Sequence, residues 1–176
     1  SEDGIEGEIV FIPEVENKEE FADWLKTIKG KFVLSSMYQP SGRPDYNWEK
    51  FATEKSLQKI RKERQEAARK WSANFRKMGV NRRNINNTLE EAGAIGLLSN
   101  NWAGGFGANR IFSAGTKNIP NIDLRLEDYT MLYRMVKSGA NPKVKVVATS
   151  KDLGTVPTFN TLAMIKGVEK PEEYVI

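Results

Sequence analysis

Apolar positions recur along this chain at two spacings, and the changes from one to the other mark out its elements. Residues 88–101 show this in the least space. Leu89 and Ala92 stand three apart, as on one face of a helix, and Gly93 is placed to end that helix in a left-handed conformation. The apolar run 94–98 is too short for a helix and is bounded by polar residues, which predicts a strand covered on both faces. Ala94 and Gly96 within it leave room for a helix to pack closely. The rest of the chain is organised around this strand: the residues before it lead into its sheet, and those after it return to the sheet or leave the domain.

Upstream, residues 8–12 (EIVFI) predict a first strand stopped by Pro13. A helix over 18–28 comes next, with Asn17 as N-cap, Glu19 and Glu20 in the first turn, and Phe21, Trp24, Leu25 and Ile28 on one face. Gly30 stops it, and 31–35 (KFVLS) predicts a second strand that opens into an irregular loop over 37–47 holding Pro40, Gly42 and Pro44. Residues 48–78 form a long charged helical stretch, broken near 53–56. Leu57, Ile60, Ala67, Trp71, Phe75 and Met78 recur in it with a period close to 3.6, Arg64 fills the gap in that stripe, and Gly79 ends the helix. Residues 81–87 are polar and turn-like.

Downstream, residues 100–109 (NNWAGGFGAN) form a glycine-rich loop carrying Trp102 and Phe106. Residues 110–112 predict a short strand, 114–121 a loop, and Ile122, Leu124 and Leu126 alternate as a strand does. A helix begins at Glu127 or Asp128, buries Tyr129, Leu132, Tyr133 and Val136, and closes at Gly139. Residues 143–150 (KVKVVATS) alternate as a strand with one exposed face. Pro157 opens a further strand over 158–165, with which a strand starting at 173–176 would pair. There is no internal repeat. Strands and helices alternate irregularly, so the class is α/β or mixed α+β.

Composition narrows the chemistry. The 176 residues suit one domain, or one domain and a fragment of a second, and 39 % hydrophobic with 28 % charged residues describes a soluble globular chain. No apolar run reaches the roughly 18 to 20 residues of a membrane span. The chain opens at Ser1 with no apolar signal segment, so we expect a processed or excised piece. Without cysteine there are no disulfides and no thiolate chemistry; without histidine the commonest general base, the hydroxyl and thiol pairs it activates, and the usual zinc ligand are gone. Hydrolysis would have to rest on carboxylates, lysine or a lone hydroxyl. The net charge of +4 is uneven: residues 1–28 are acidic, and the basic surplus lies between Lys50 and Arg83.

Three features invite a functional reading. Gly104, Gly105 and Gly107 suggest a phosphate loop, but a G-x-G-x-x-G from Gly105 would need glycine where Arg110 stands, and no Gly-Lys-Ser/Thr opens a helix. A surface loop whose two aromatics meet a partner fits better. The basic residues of 48–78 suggest nucleic acid, but Glu63 and Glu66 are interleaved at helix-neighbour spacing with Lys59, Lys62 and Lys70, as on a solvated helix. The carboxylate pairs Glu90–Glu91, Glu127–Asp128 and Glu172–Glu173 sit at helix starts or exposed turns and point apart, so capping or solubility explains them. The sequon at Asn86 matters only in a eukaryotic secretory chain.

Residues 29–34 (KGKFVL), 93–97 (GAIGL) and 119–124 (IPNIDL), the last running into Glu127–Asp128, resemble in order the recurring features of protease-associated domains, and Gly139 falls where such domains place a glycine after the last helix. The stretches 160–163 (NTLA), Gly167 and 171–176 (PEEYVI) resemble strands leading into the peptidase domain of zinc-dependent exopeptidases similar to carboxypeptidase Q and related aminopeptidases. The resemblance implies an α/β fold of the swivelling β/β/α kind over 1–156, with the long charged helix inserted at 45–80, and strands over 157–176 that lead into a peptidase domain. It implies a secreted or periplasmic parent whose zinc ligands begin with a His-x-Asp beyond Ile176. Within this chain it implies no catalytic residue, no metal ligand and no cofactor, and an accessory role beside the cleft. The partners implied are the peptidase domain and peptide substrate, with no nucleic acid and no membrane span. Trp102, Phe106 and Arg110 on the glycine-rich loop are the candidate contacts with substrate or peptidase domain. The rival reading is a stand-alone binding module that presents the basic helix 48–78 to an anionic partner.

Overall fold

Alternation along neighbouring strands decides the architecture. In the computed structural model, which describes residues 3–111, 113–149, 154–165 and 168–169, successive side chains of three strands enter two different cores. These are β1 (Ile5–Phe11), β2 (Phe32–Leu34) and β3 (Gly96–Ser99). Val33 and Leu97 face one core; Ile9, Phe32, Leu34 and Leu98 face the other. A sheet whose strands are apolar on both faces has to be covered on both.

Two further strands, β4 (Asn121–Asp123) and β5 (Lys143–Val146), complete a five-stranded mixed sheet in the order β4-β3-β2-β1-β5. The first four strands are parallel, with Phe32 beside Gly96 and Leu97 beside Asn121, and β5 runs antiparallel to β1. Gly96 is small for the sake of its neighbour strand and not, as expected, for a helix: a Cβ there would collide with the Phe32 ring.

Five helices are formed among the described residues: α1 (Lys18–Leu25), α2 (Asp45–Phe51), α3 (Glu54–Met78), α4 (Ile85–Glu91) and α5 (Leu126–Lys137). Helices α1, α3 and α4 cover one face through Phe21, Phe75, Met78, Ile85 and Leu89, and α5 covers the other through Tyr129, with Leu132, Tyr133 and Val136 beside it. Asn17 caps α1 by accepting from the Glu20 N–H at 2.9 Å. The break expected near 53–56 falls at Ala52 and Thr53, where the Thr53 hydroxyl caps α3 from the Ser56 N–H at 3.3 Å. Gly79 ends α3 with φ +68°, a left-handed conformation that needs no Cβ.

The stripe on α3 is buried within this chain. Leu57, Ile60, Phe75 and Met78 are buried, Trp71 packs against the core, and the ring of Trp71 meets that of Phe75 edge-on at 5.2 Å. Asn74, a polar residue on the same side, is 5 % exposed. Its amide accepts the Val15 N–H at 3.0 Å and donates to the Pro13 carbonyl at 2.8 Å, fastening α3 to the chain just after β1.

Some expectations fail. The polar stretch 81–87 already contains the start of α4 at Ile85. No strand forms at Arg110 or Ile111; the pairing there is a single bridge between Trp102 and Asn109. Residues 143–150 yield a strand only as far as Val146, and residues 158–165 form none. Alternation gives a strand one apolar face but no ladder partner, and without a neighbour the backbone has nothing to pair with. The stretch 173–176 lies outside the described residues.

Candidate functional site

The carboxyl ends of β1, β2 and β3 meet at one edge of the sheet, and the chain leaves β2 there as an irregular segment, residues 35–43. In open α/β sheets this edge is where ligands bind. The root of the segment is held by Tyr129, which is wholly buried on α5. Its hydroxyl accepts the Ser36 N–H at 2.9 Å and donates to the Ser36 carbonyl at 2.5 Å. Burial pushes the phenol well above its usual range, against the pull of the Ser36 bond, so it remains protonated. The Ser36 hydroxyl accepts the Asn100 N–H at 2.8 Å, which joins the ends of β2 and β3.

The glycine-rich loop is built onto the same edge. Trp102 and Asn109 form an antiparallel bridge, and the Ala103 N–H donates to the Ala108 carbonyl at 2.8 Å, so residues 102–109 fold back as a small hairpin. Gly104 and Gly107 turn it with φ +83° and +63°. Asp123 at the end of β4 anchors its base, accepting from the amides of Asn101 and Asn109 at 2.5 Å each. The Asn100 and Asn109 amides both donate to the Leu124 carbonyl, at 2.7 and 2.8 Å.

The three residues singled out on this loop have different surroundings. Trp102 is half-buried: its Nε1 donates to the Gly105 carbonyl at 2.6 Å, and the Arg64 guanidinium lies 5.2 Å from its ring centroid. It ties the loop to α3. Arg64, the charged residue in the apolar stripe, also donates to the carbonyls of Ser41 and Arg43 at 3.1 and 2.6 Å and pairs with Asp45. One half-buried cation thus gathers the segment after β2, the start of α2 and the glycine-rich loop. Phe106 is exposed at the tip, 6.3 Å from the Tyr46 ring and perpendicular to it. Arg110 is exposed at the base, with its N–H donated to the Asn101 carbonyl at 2.8 Å.

Three clefts open around residues 35–43. One of about 400 Å³ lies between Gly42, Arg43, Phe106 and the start of α5. A second, of about 410 Å³, is lined by uncharged groups such as Ser35, Gln39, Asn86 and Asn121, with Trp71 and with Arg82 as its charged residue. The third, of about 320 Å³, lies between α3 and α5 beyond β1 and β2. The sequence singles out Phe106 but not Tyr38, Tyr133 or the serines and asparagines of this edge, which come together only through the sheet.

Five of the ten basic residues between Lys50 and Lys77 are paired with carboxylates. Arg61 pairs with Glu49 at 2.6 Å and Lys77 with Glu16 at 2.8 Å, while Lys59 and Lys62 stand 3.9 Å from Glu63 and Glu66. Exposed pairs of this kind contribute roughly 0 to 1 kcal/mol each. Glu90, one of the adjacent carboxylates, accepts the N–H groups of Lys117 and Asn118 at 2.9 and 2.5 Å, and those bonds hold its carboxyl below the usual range.

Among the described residues no group of three or more His, Cys, Asp or Glu is placed to hold a metal ion. Among the same residues no helix is long and apolar enough to cross a membrane. No protein-family model matches this chain, nor does any curated protein or any solved structure.

Proposed function

We propose that this chain is the non-catalytic protease-associated domain of a secreted or periplasmic zinc-dependent exopeptidase, of aminopeptidase or carboxypeptidase type. In this reading it flanks the active site and influences substrate access or partner docking. The fold would be of the swivelling β/β/α kind, with α2 and α3 as the insertion, and residues 157–176 would complete their pairing on the peptidase domain.

One observation carries the reading. Beyond β5, Phe159 is 86 % exposed, Leu162 92 % and Ile165 98 %, and none of the described residues covers them. A soluble domain seldom shows a contiguous apolar surface unless another surface meets it. The resemblance-bearing stretches 29–34, 93–97 and 119–124 contribute residues to β2, β3 and β4, which are neighbouring parallel strands of one sheet, and this arrangement supports the reading. The exposed Phe106 and Arg110 stand on the carboxyl edge of that sheet, available to a second domain.

The test is the reading frame beyond Ile176. It should bring a His-x-Asp within about ten residues, then further carboxylate and histidine ligands over a domain of roughly 200 residues. The longer protein should hydrolyse aminoacyl or dipeptide substrates with zinc and lose that activity to a chelator. A stop codon at Ile176, or a downstream sequence without metal-ligand residues, removes the peptidase reading.

A further inference from the structure

The cleft between α3 and α5 is built differently from the other two. Its floor is a row of rings: Phe11 and Tyr133 lie 4.9 Å apart between centroids, and Tyr133 and Tyr38 lie 4.8 Å apart and nearly stacked. Charges of both signs line it as well: Glu63, Glu66 and Lys70 on α3, Lys137 at the end of α5, and Glu14.

These charges are not spent on one another. Neither Glu14 nor Lys70 makes a hydrogen bond or ion pair with the described residues. Glu63 and Glu66 make loose ion pairs with Lys59 and Lys62 at 3.9 Å, with 44 % and 54 % of their side chains still exposed. The Lys137 ammonium lies 5.9 Å from the Tyr133 centroid, so the ring row already attracts one cation at its edge. The cleft sits at the carboxyl ends of β1 and β2, between helices that belong to opposite faces of the sheet. Its 320 Å³ falls at the small end of ligand sites, which span roughly 300 to 1,000 Å³.

We propose that this cleft binds a short peptide with free termini, its apolar side chain on the Tyr38, Tyr133 and Phe11 rings, its ammonium among Glu14, Glu63 and Glu66, and its carboxylate toward Lys70. A simple cation would be left facing Lys70, and a simple anion would face three carboxylates. A neutral sugar would answer neither set of charges and would leave both to be desolvated without a partner. A small zwitterion with an apolar body answers both signs of charge and the rings. The inference rests on the cleft alone and does not require that a peptidase domain lie downstream.

The test is calorimetric titration of this chain with phenylalanyl-leucine, with its N-acetyl form and with its C-terminal amide. The free dipeptide should bind with a Kd below about 1 mM, and blocking either end should weaken binding by about tenfold or more. Glu14→Gln, at an exposed position, should weaken the free dipeptide by a similar factor and leave the N-acetyl form unchanged. Tyr133→Leu should abolish binding while the far-UV and near-UV dichroism of the fold persist. Absence of measurable binding by the free dipeptide overturns the proposal, and so does equal affinity for the free and blocked forms. If the dipeptide binds in this way and the reading frame carries no peptidase, the cleft proposal stands and the accessory-domain reading falls.

Discussion

Residues 100–109 hold three glycines and three asparagines, the composition of a loose loop, and yet their hairpin is fastened at its base by Asp123 and Leu124 and along its side by Arg64. Residues 154–165 hold Val156, Phe159, Leu162, Met164 and Ile165, the composition of a core strand, and those side chains are 60 % to 98 % exposed. Order here follows from partners and not from hydrophobicity. A polar loop bonded at its base and along its side is fixed in place, whereas apolar side chains with no surface to meet contribute nothing to the fold. The polar loop finds its partners in this chain; the apolar segment would have to find them elsewhere.

The strongest way to break the ordered side of that comparison is at its root. Tyr129→Ala should cost about 3 to 5 kcal/mol, through the cavity left on the α5 face and the loss of both Ser36 bonds. Tyr129→Phe keeps the ring and strands the Ser36 N–H and carbonyl, so it should cost about 1 to 3 kcal/mol. Urea unfolding of the two variants beside the parent measures both, and a Tyr129→Phe variant as stable as the parent would show that the hydroxyl does not hold the segment after β2.

The same contrast explains what the sequence made legible. The α3 stripe could be read down to the gap that Arg64 fills, because helical periodicity is local. The end of α5 near Gly139 and the strand expected over 94–98, which forms at Gly96–Ser99, could be read because their signals are local too, whereas α1 ends at Leu25 and not at the expected 28. The candidate site could not. Tyr129 and Ser36 are 93 positions apart, Asp123 and Asn101 are 22 apart, and neither pair has any sequence signature. Asn74 escapes the reading because it breaks the apolar pattern of the stripe in order to bond Val15 and Pro13. The strand expected over 158–165 fails for the opposite reason: its pattern is legible, but a pattern states only what a segment could bury.

The next effect separates the two aromatics of the glycine-rich loop. Trp102→Ala removes the Arg64 contact and the bond to Gly105 and should destabilise the chain by about 2 kcal/mol. Phe106→Ala, at an exposed tip, should stay within about 0.5 kcal/mol. Thermal unfolding of the pair decides it. Equal losses would mean that the tip also packs internally and is no free contact surface.

A smaller effect belongs to Glu90, which holds residues 117 and 118 by the same logic of answered backbone groups. Its folded carboxyl lies below the ordinary value of 4.5, so its contribution is fully present above that value and is lost as the pH falls through the lower folded one. Stability measured from pH 6 downward should therefore fall less steeply in Glu90→Gln than in the parent. Parallel acid limbs in the two proteins would exclude Glu90 as a contributor.

The smallest effect is expected where the side chains are largest. In this chain alone, Phe159→Ser combined with Leu162→Ser removes apolar groups that are 86 % and 92 % exposed, so the folded state loses almost no burial. Unfolding midpoints should agree with the parent to within about 0.5 kcal/mol. In a longer protein in which another domain covers these residues, the same pair should cost roughly 1.5 to 3 kcal/mol for each side chain covered, seen as weaker docking or a lower midpoint. The contrast between the two backgrounds is the informative quantity, because a substitution that is silent in one and costly in the other shows a partner outside this fold. If the double substitution destabilises the present chain by more than about 1 kcal/mol, the segment folds back onto its own domain in solution. The uncovered apolar side chains on which the accessory reading rests would then not exist.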